Sequence, residues 1–370
     1  MVKNDEGRVP FLDVAEKTTA ALALNTQTTG MNDFLEKYSA VAGYELDKQS
    51  ADRERSQTLD RLRLYDRIII GLHDPSGSRR KFRVATEDAA LIRDLARTNE
   101  VVLVIFGSPY NLADFEDLPV LISAFEDDLL AHQAAAELIF GAIDGHGKLP
   151  VSAGRFTVGS GIDTQSLQRL GWSTPEYEGF NPETLRLIDR VVEEAIADTA
   201  TPGCQVLIAR NGRVVMEKSY GFYTYDSINP VKPETVYDIA SITKVIATLQ
   251  TIMFLDERGF IDMDKKVSVY LPELKGTNKE NMILRDILTH QAGLWPYLPF
   301  WRRTVEDENI LNELYSPIQT ELHENQVATG MYVRNDLKDS VWQWTIDAKV
   351  IEKEAYRPYE YRYSDMGYYM

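Results

Sequence analysis

Cysteine is almost absent from this sequence, since Cys204 is the single example in 370 residues. One thiol excludes an internal disulfide, and its place between Gly203 and a β-rich run predicts a small buried hydrophobe. Histidine is also scarce: His73, His132, His146, His290 and His323 are scattered, without the H-E-x-x-H or Cys-His spacing of a metal site. We therefore predict no metal site and no cofactor.

Basic residues are in deficit, with 40 Lys and Arg against 57 Asp and Glu and a net charge of −17. Such a charge repels phosphate backbones and anionic lipid surfaces, so nucleic-acid binding is not expected. No apolar run approaches the roughly 20 residues that cross a bilayer, and the first residues lack the apolar centre of a signal peptide. We predict no membrane span, and the sequence leaves the oligomeric state open.

The first half of the chain alternates short apolar runs with helical patterns between residues 18 and 150. The runs at 67–72 and 101–107 are continuously apolar and β-branched, as strands buried on both faces are. Asp127 to Phe140 follow as an amphipathic helix. This order predicts a parallel α/β layer.

A change of composition marks the middle of the chain, where residues 152–180 are rich in Gly, Ser and Thr and predict a linker. A helix is then expected with Asn181 as N-cap and Pro182 at its first position. Asn211-Gly212 between two apolar runs predicts a β-hairpin with a type I′ turn. Residues 301–355 show no clear period and predict a long insertion or a cover over a site.

Ser241 and Lys244 stand at the amino end of a strongly apolar stretch that closes at Gly259, which predicts a buried helix. A spacing of three residues places both side chains on one helix face, about 5 to 6 Å apart at Cβ. Serine needs a neighbouring base, and desolvation together with the helix dipole favours the neutral amine of lysine. The pattern predicts Ser241 as nucleophile and Lys244 as its base.

The S-x-x-K spacing is weak alone, because Ser78 and Lys81 also match it within a polar, basic loop that predicts solvated surface. For Ser241 the alternative is a helix N-cap serine with a surface lysine. Tyr363, in Tyr363-Ser364-Asp365, supplies a phenol that can shuttle a proton to a leaving group. A tyrosine-rich packing segment is the alternative there.

Three ordered motifs, ASITK (240–244), LRDILTHQAGL (284–294) and YSD (363–365), resemble the family of class C β-lactamases, DD-peptidases and esterases. The resemblance, over about residues 175 to 370, implies that Ser241 is acylated, Lys244 is the base and Tyr363 is the proton shuttle. It makes His290 a structural residue at a helix end. Asp365 occupies the substrate-contacting position where lactamases usually carry asparagine.

A carboxylate at position 365 cannot donate the asparagine's hydrogen bond unless protonated, and it favours a charged lysine. This departure affects lactam hydrolysis more than ester or peptide hydrolysis. The family's K-T-G or H-x-G strand is expected after Tyr363, yet the sequence ends at Met370. Since losing one oxyanion donor costs about 100- to 1,000-fold, we expect this chain to be weakly active or inactive, and its parent active.

The phrases FGSPY (106–110) and AAAELIFGAIDGHGKLPVS (134–152) resemble the C-terminal α/β sandwich of family 3 glycoside hydrolases, in the β-N-acetylglucosaminidase branch. In that branch the catalytic residues lie on a preceding barrel, for which residues before 15 leave no room. We therefore expect no glycosidase activity. The carboxylates that could be taken for a glycosidase acid and nucleophile are interpreted as loop and helix-cap residues: Asp74, Asp114, Glu116, Asp127 and Asp128.

The resulting prediction is an α/β fold: an N-terminal parallel α/β sandwich over 1–155, a linker over 156–180, and an incomplete α+β serine β-lactamase-like domain over 181–370. The expected activity is that of a serine hydrolase that forms an acyl-enzyme with a small-molecule or muropeptide substrate. The alternative is a non-catalytic module that binds cell wall or braces a β-N-acetylglucosaminidase. The joined resemblances imply an exported bacterial parent with a periplasmic or extracytoplasmic place and a role in cell-wall or amino-sugar hydrolysis.

Overall fold

The computed structural model describes residues 1–25, 30–73, 84–306, 309–310, 313–353 and 357–370. Asp74 and the second S-x-x-K copy, Ser78 to Lys81, lie outside these described residues. The chain divides into two compact units, Met1–Thr235 and Val236–Met370. This division falls after the β-hairpin, and the predicted limits of 1–155, 156–180 and 181–370 remain predictions. None of the described helices combines the length and apolarity needed to cross a membrane.

The first unit contains a six-stranded sheet in the order β1-β6-β5-β4-β2-β3. Its strands are β1 Lys3–Asn4, β2 Thr19–Leu24, β3 Val41–Leu46, β4 Arg67–Leu72, β5 Glu100–Ile105 and β6 Val120–Ser123. The helices beside it are α1 Gly30–Leu35, α2 Asp52–Leu62, α3 Thr86–Thr98 and α4 Leu129–Phe140. Strands β2 to β6 are parallel, and the short β1 is antiparallel to β6.

Both faces of this sheet are buried, which explains the continuous apolar runs of its central strands. Successive side chains of a strand point to opposite faces, so Ile68 and Ile70 join one cluster with Leu95 of α3. Ile69 joins the other cluster, with Phe140 of α4. The mixed α/β fold with a parallel sheet is therefore confirmed.

A second sheet of the first unit pairs β7 Gly171–Trp172 with a hairpin formed by β8 Gly203–Arg210 and β9 Arg213–Gly221. Asn211 and Gly212 connect the hairpin with φ angles of 55° and 76°, as a type I′ turn requires. Helix α5, Pro182–Ala197, precedes it, and Asn181 Oδ1 accepts from the amides of Glu183 and Thr184. The predicted cap and hairpin are confirmed, whereas Cys204 is only half-buried.

The second unit has small sheets and short helices around one apolar core. Its strands are β10 Val305–Glu306, β11 Asn309–Ile310, β12 Tyr315–Ser316, β13 Asn325–Ala328 and β14 Met331–Val333. Its α-helices are α6 Gln250–Glu257, α7 Leu284–Leu288, α8 Leu337–Asp347 and α9 Met366–Tyr369. The core contains Val267, Leu274, Met282, Ile287, Ala292, Leu294, Ile346 and Met366. Regular elements thus occur within 301–355, where the sequence showed no period.

The helical stretch after Ser241 is not buried, so that expectation is wrong. A 3₁₀ turn over Ala240–Ile242 leads into a π-helical stretch, Lys244–Leu249, and then into α6. Ile246 and Met253 are both 56% exposed. An apolar pattern indicates a helix face that favours burial. Whether another part of the chain packs against that face depends on the tertiary structure.

Lys279 is fully buried beneath the end of α8. Its ammonium donates to Asn278 Oδ1 at 2.9 Å, to the Ile346 carbonyl at 2.8 Å and to the Ala348 carbonyl at 2.5 Å. Each of its three N–H groups thus has an acceptor. Burial lowers the pKa of Lys279 from 10.5 to about 8.

We expect Lys279 to make the stability of the second unit depend on pH in the alkaline range. Between pH 8 and 10.5 the unfolded lysine is protonated and the folded one is not, so unfolding binds a proton and stability rises with pH. Relative to Lys279→Met, the wild-type free energy of unfolding should increase across this window by up to about 3 kcal/mol. Urea unfolding of both proteins at pH 7, 8, 9 and 10 measures it, and a constant difference would contradict the prediction.

Candidate active site

Ser241 lies on the 3₁₀ turn that opens the exposed helical stretch. The Asp238 carboxylate accepts from the Ala240 amide at 2.7 Å, and Ala240 has a φ of 43°. A positive φ at a residue with a side chain costs free energy and is found where the surrounding structure imposes it. The turn presents the Ser241 hydroxyl at the surface of the second unit.

Lys244 follows three residues later, and its Nζ donates to Ser241 Oγ at 3.2 Å. Its other close partner is Asp365, with Oδ1 at 2.5 Å from Nζ. The Lys244 side chain is 16% exposed although the helix around it is open. The two residues that the sequence placed on one helix face are thus in contact, and Asp365 joins them.

Tyr363 reaches the serine from a position 122 residues further along the chain. Its hydroxyl donates to Ser241 Oγ at 2.6 Å. The Lys244 Nζ also lies 5.3 Å from the centre of the Tyr363 ring. The structure therefore brings together all four residues that the sequence predicted for the site.

The segment carrying Tyr363 is fixed to the loop after α7 by hydrogen bonds on both sides of the tyrosine. The Arg362 amide donates to the His290 carbonyl at 2.9 Å, and the Asp365 amide donates to the Pro296 carbonyl at 2.7 Å. Ser364 is buried, and its hydroxyl donates to the Trp295 carbonyl at 2.6 Å. Since these carbonyls belong to the main chain, residue identity gave no signal of this attachment.

His290 supports the tyrosine rather than the serine. Its Nδ1 accepts from the Ser364 amide at 3.1 Å, and its ring lies 4.6 Å from that of Tyr363. Burial and the nearby Lys244 cation lower the pKa of His290, which favours the neutral ring that accepts this bond. These contacts agree with the structural role that the resemblance implied.

The charges of the site differ from the sequence expectation in one respect. The hydrogen bond from Asp365 raises the pKa of Lys244, and this effect exceeds the opposing effect of desolvation. This direction favours the ammonium form, whereas the sequence predicted a neutral amine, because the helix is open and a carboxylate lies beside Lys244. The prediction that a carboxylate at position 365 favours the charged form of Lys244 agrees with this direction.

The phenol of Tyr363 shifts in the other direction. Its hydrogen bonds to Ser241 and then to Lys244 lower its pKa below the usual 10. A phenol so placed gives up its proton more readily, and a phenolate at 2.6 Å is within reach of the serine proton. The lowered pKa of Tyr363 is thus accompanied by a cation, since Lys244 Nζ lies 5.3 Å from the centre of its ring.

Comparison with known proteins gives a match to the Beta-lactamase family model over residues 188–363. An N-acetylmuramyl-L-alanine amidase of Bacillus subtilis (strain 168) is 31% identical over 128 residues, covering 31% of this chain and 29% of the relative. A Beta-lactamase of Providencia stuartii is 31% identical over 150 residues, covering 40% of this chain and 36% of the relative. The chain thus spans about a third of the length of these curated relatives.

Solved structures of class C β-lactamases and of family 3 β-N-acetylglucosaminidases also resemble parts of the chain. One, a fungal multi-domain family 3 β-N-acetylglucosaminidase with a GCN5-related glucosamine N-acetyltransferase region, has a TM-score of 0.36 and 18% identity. It covers 44% of this chain and 19% of the solved chain. The family match lies within residues 188–363, slightly less than half of the chain.

Proposed function

We propose that this chain carries the centre of a serine hydrolase of the β-lactamase, DD-peptidase and esterase type, and that it forms an acyl-enzyme on Ser241 at the low rate expected from its sequence. The observation that carries the proposal is the contact of Tyr363 Oη with Ser241 Oγ at 2.6 Å, beside Lys244 Nζ at 3.2 Å. A nucleophile, a proton acceptor and a fixed cation then meet at one exposed point.

In the proposed reaction, Ser241 Oγ attacks the substrate carbonyl carbon while the Tyr363 phenolate takes the serine proton. The tetrahedral intermediate expels the leaving group, which receives that proton from Tyr363, and the acyl group stays on Ser241. Water then attacks the carbonyl carbon of the ester and gives a proton to Tyr363. As the acid product leaves, Ser241 Oγ takes that proton from Tyr363, which restores the serine hydroxyl and the phenolate. The Lys244 ammonium holds the phenolate form by its charge.

The substrate that Asp365 favours is an ester or a D-amino-acid peptide, such as a muropeptide, over a lactam. Its carboxylate accepts from Lys244 and has no hydrogen to donate to the acyl-amide group of a lactam. A relative described as an N-acetylmuramyl-L-alanine amidase supports a cell-wall substrate. We further propose that the chain acts in cell-wall or amino-sugar hydrolysis outside the bacterial cytoplasm.

Peptide mapping after acylation tests the proposal. The chain is incubated with a p-nitrophenyl ester or a fluorescent penicillin, quenched in acid and digested, and the modified peptide is identified by mass. The expected adduct is on Ser241, and the peptide with Ser78 of the second S-x-x-K copy serves as an internal control. Labelling of both serines alike, or of neither, would overturn the proposal.

Asp365→Asn should move the site towards lactam recognition. Asparagine gains a donor for the acyl-amide, and removing the carboxylate lowers the pKa of Tyr363, which the Asp365 charge holds up. We expect acylation by a fluorescent penicillin to rise about tenfold relative to the ester, since one hydrogen bond contributes about 1 kcal/mol or more. The midpoint of the rate against pH should also move downward.

A matched control for this substitution is Asp336→Asn, in the same unit. Asp336 is also a carboxylate paired with a cation, since its Oδ1 lies 2.6 Å from Arg334 Nε. It should leave both the preference and the pH midpoint unchanged. An equal response of the two variants would show that charge alone, and not position 365, sets the preference.

A non-catalytic module that binds cell wall is the second candidate, favoured by the Lys244 and Asp365 ion pair. A lysine held as a cation cannot serve as a base, and it can instead bind the carboxylate of a wall peptide. Saturable binding of muropeptides that survives Ser241→Ala, with no adduct in the wild type, would support this candidate over the hydrolase.

A further inference from the structure

Two buried histidines of the first unit meet one carboxylate beyond the carboxyl ends of the parallel strands. His73 directly follows β4, Asp127 follows β6 after a short loop, and His132 lies near the start of α4. The His73 and His132 side chains are 1% and 3% exposed, and that of Asp127 is 22% exposed. These histidines are scattered along the sequence without the spacing of a metal motif, but the fold of the sheet brings two of them together.

Both rings contact the same oxygen. His73 Nδ1 lies 2.9 Å and His132 Nε2 lies 2.8 Å from Asp127 Oδ1. Three such donor atoms, one from each residue, all lie within 4.8 Å of one another. Two ligands of a tetrahedral ion, each about 2.0 to 2.1 Å from it, are about 3.3 to 3.4 Å apart. The nitrogen-to-oxygen separations are about 0.5 Å shorter, so small side-chain shifts would let an ion replace the two hydrogen bonds.

The surrounding packing holds the two rings in place. Phe106 stacks on His73 with ring centres 4.8 Å apart and meets His132 edge-on at 4.6 Å. A Cβ at Gly71 would lie 2.9 Å from His73 Nε2, and one at Gly30 would lie 2.7 Å from His132 Nδ1. The glycines leave the space that both imidazoles occupy, so the donors are oriented before any ligand arrives.

We propose that His73, Asp127 and His132 bind one divalent first-row transition-metal ion of the Zn²⁺ type, with water completing its coordination on the side of Asp127. Two imidazoles and one carboxylate are a donor set that such ions prefer over Ca²⁺ or Mg²⁺. The exposed edge of Asp127 provides the entry path, and the net charge of −17 attracts cations.

The expected affinity for the metal ion depends on the imidazole nitrogens that do not face Asp127. His73 Nε2 and His132 Nδ1 have no hydrogen-bond partner within the described part of the chain. Metal-binding histidines usually donate from that nitrogen, and losing such a partner costs about 10- to 100-fold in affinity. We therefore expect a dissociation constant on the order of micromolar, weaker than that of structural zinc sites.

Titration of the chelator-treated full chain tests the proposal. Calorimetry with Zn²⁺ and visible absorption with Co²⁺ should each show one ion per chain. Asp127→Asn and His132→Gln should weaken binding at least about tenfold. In Asp127→Asn the amide oxygen still accepts from both imidazoles, so the fold is retained, which circular dichroism checks.

His146→Gln is the matched control. This histidine is 69% exposed, with its nitrogens 3.9 Å from an Asp144 oxygen and 3.7 Å from an Asp163 oxygen. It offers the same donor types on the surface and should leave binding unchanged. Absence of binding by the wild type would overturn the proposal and leave the cluster as a hydrogen-bonded triad. So would binding that survives Asp127→Asn and disappears in His146→Gln. Neither result bears on the acylation of Ser241.

Discussion

Ser241→Ala should reduce covalent acylation of this chain to background. The hydroxyl oxygen is the only atom of the proposed site that becomes bonded to the acyl group, and alanine removes it without adding bulk. The measurement is the time course of adduct formation with a p-nitrophenyl ester or a fluorescent penicillin, followed by intact mass. In serine hydrolases, loss of the nucleophile is among the most damaging single changes to turnover.

Two controls make this result specific. Ser78→Ala removes the serine of the other S-x-x-K copy and should leave the time course unchanged. Because Ser241 is exposed, its replacement should also leave stability within about 0.5 kcal/mol of the wild type, which thermal unfolding checks. Adduct formation at the wild-type rate in a folded Ser241→Ala protein would contradict the assignment of Ser241 as the nucleophile.

Tyr363→Phe should lower the rate of acylation by about 100- to 10,000-fold, the usual contribution of a general acid-base group. Phenylalanine keeps the ring that packs 4.6 Å from His290 but loses the hydroxyl 2.6 Å from Ser241. The wild-type rate should rise with pH as the phenol loses its proton, with a midpoint below 10 because the pKa of Tyr363 is lowered. In the variant that rise should be absent.

Tyr361→Phe is the matched control for this prediction. Tyr361 is two residues away, 66% exposed, and its ring also faces His290, at 5.8 Å. Its replacement should change neither the rate nor the pH midpoint. If the acylation rate of Tyr363→Phe still rose with pH, a group other than Tyr363 would be titrating. Lys244 would then be the candidate base.

The sequence predicted those parts of the fold whose signals are local. The Asn181 cap, the Asn211-Gly212 turn and the apolar strands at 67 and 101 depend on backbone preferences and on burial of both sheet faces. The S-x-x-K spacing likewise predicted contact between Ser241 and Lys244, since three residues make nearly one helical turn. These features need no knowledge of distant neighbours.

Burial of the helix after Ser241 was not predictable from its own residues. An apolar pattern shows that a surface favours burial, yet Ile246 and Met253 are 56% exposed because the described packing does not cover them. The charge on Lys244 follows from the same fact together with the ion pair to Asp365. Desolvation alone pointed to the neutral amine, and a contact between residues 121 positions apart reversed it.

By itself the sequence determined the parallel α/β layer, the serine and lysine pair, and the set of four residues in the candidate site. Only the tertiary structure brought Tyr363 within 2.6 Å of Ser241 and Asp365 within 2.5 Å of Lys244, and the proposed choice of proton acceptor depends on these two contacts. It also decided that His73, Asp127 and His132 form one cluster, since parallel strands bring their carboxyl ends together irrespective of spacing along the chain. The backbone preferences of a segment depend on its own residues and their neighbours in sequence. The charge states of side chains and the grouping of metal ligands depend on distances that only the folded chain defines.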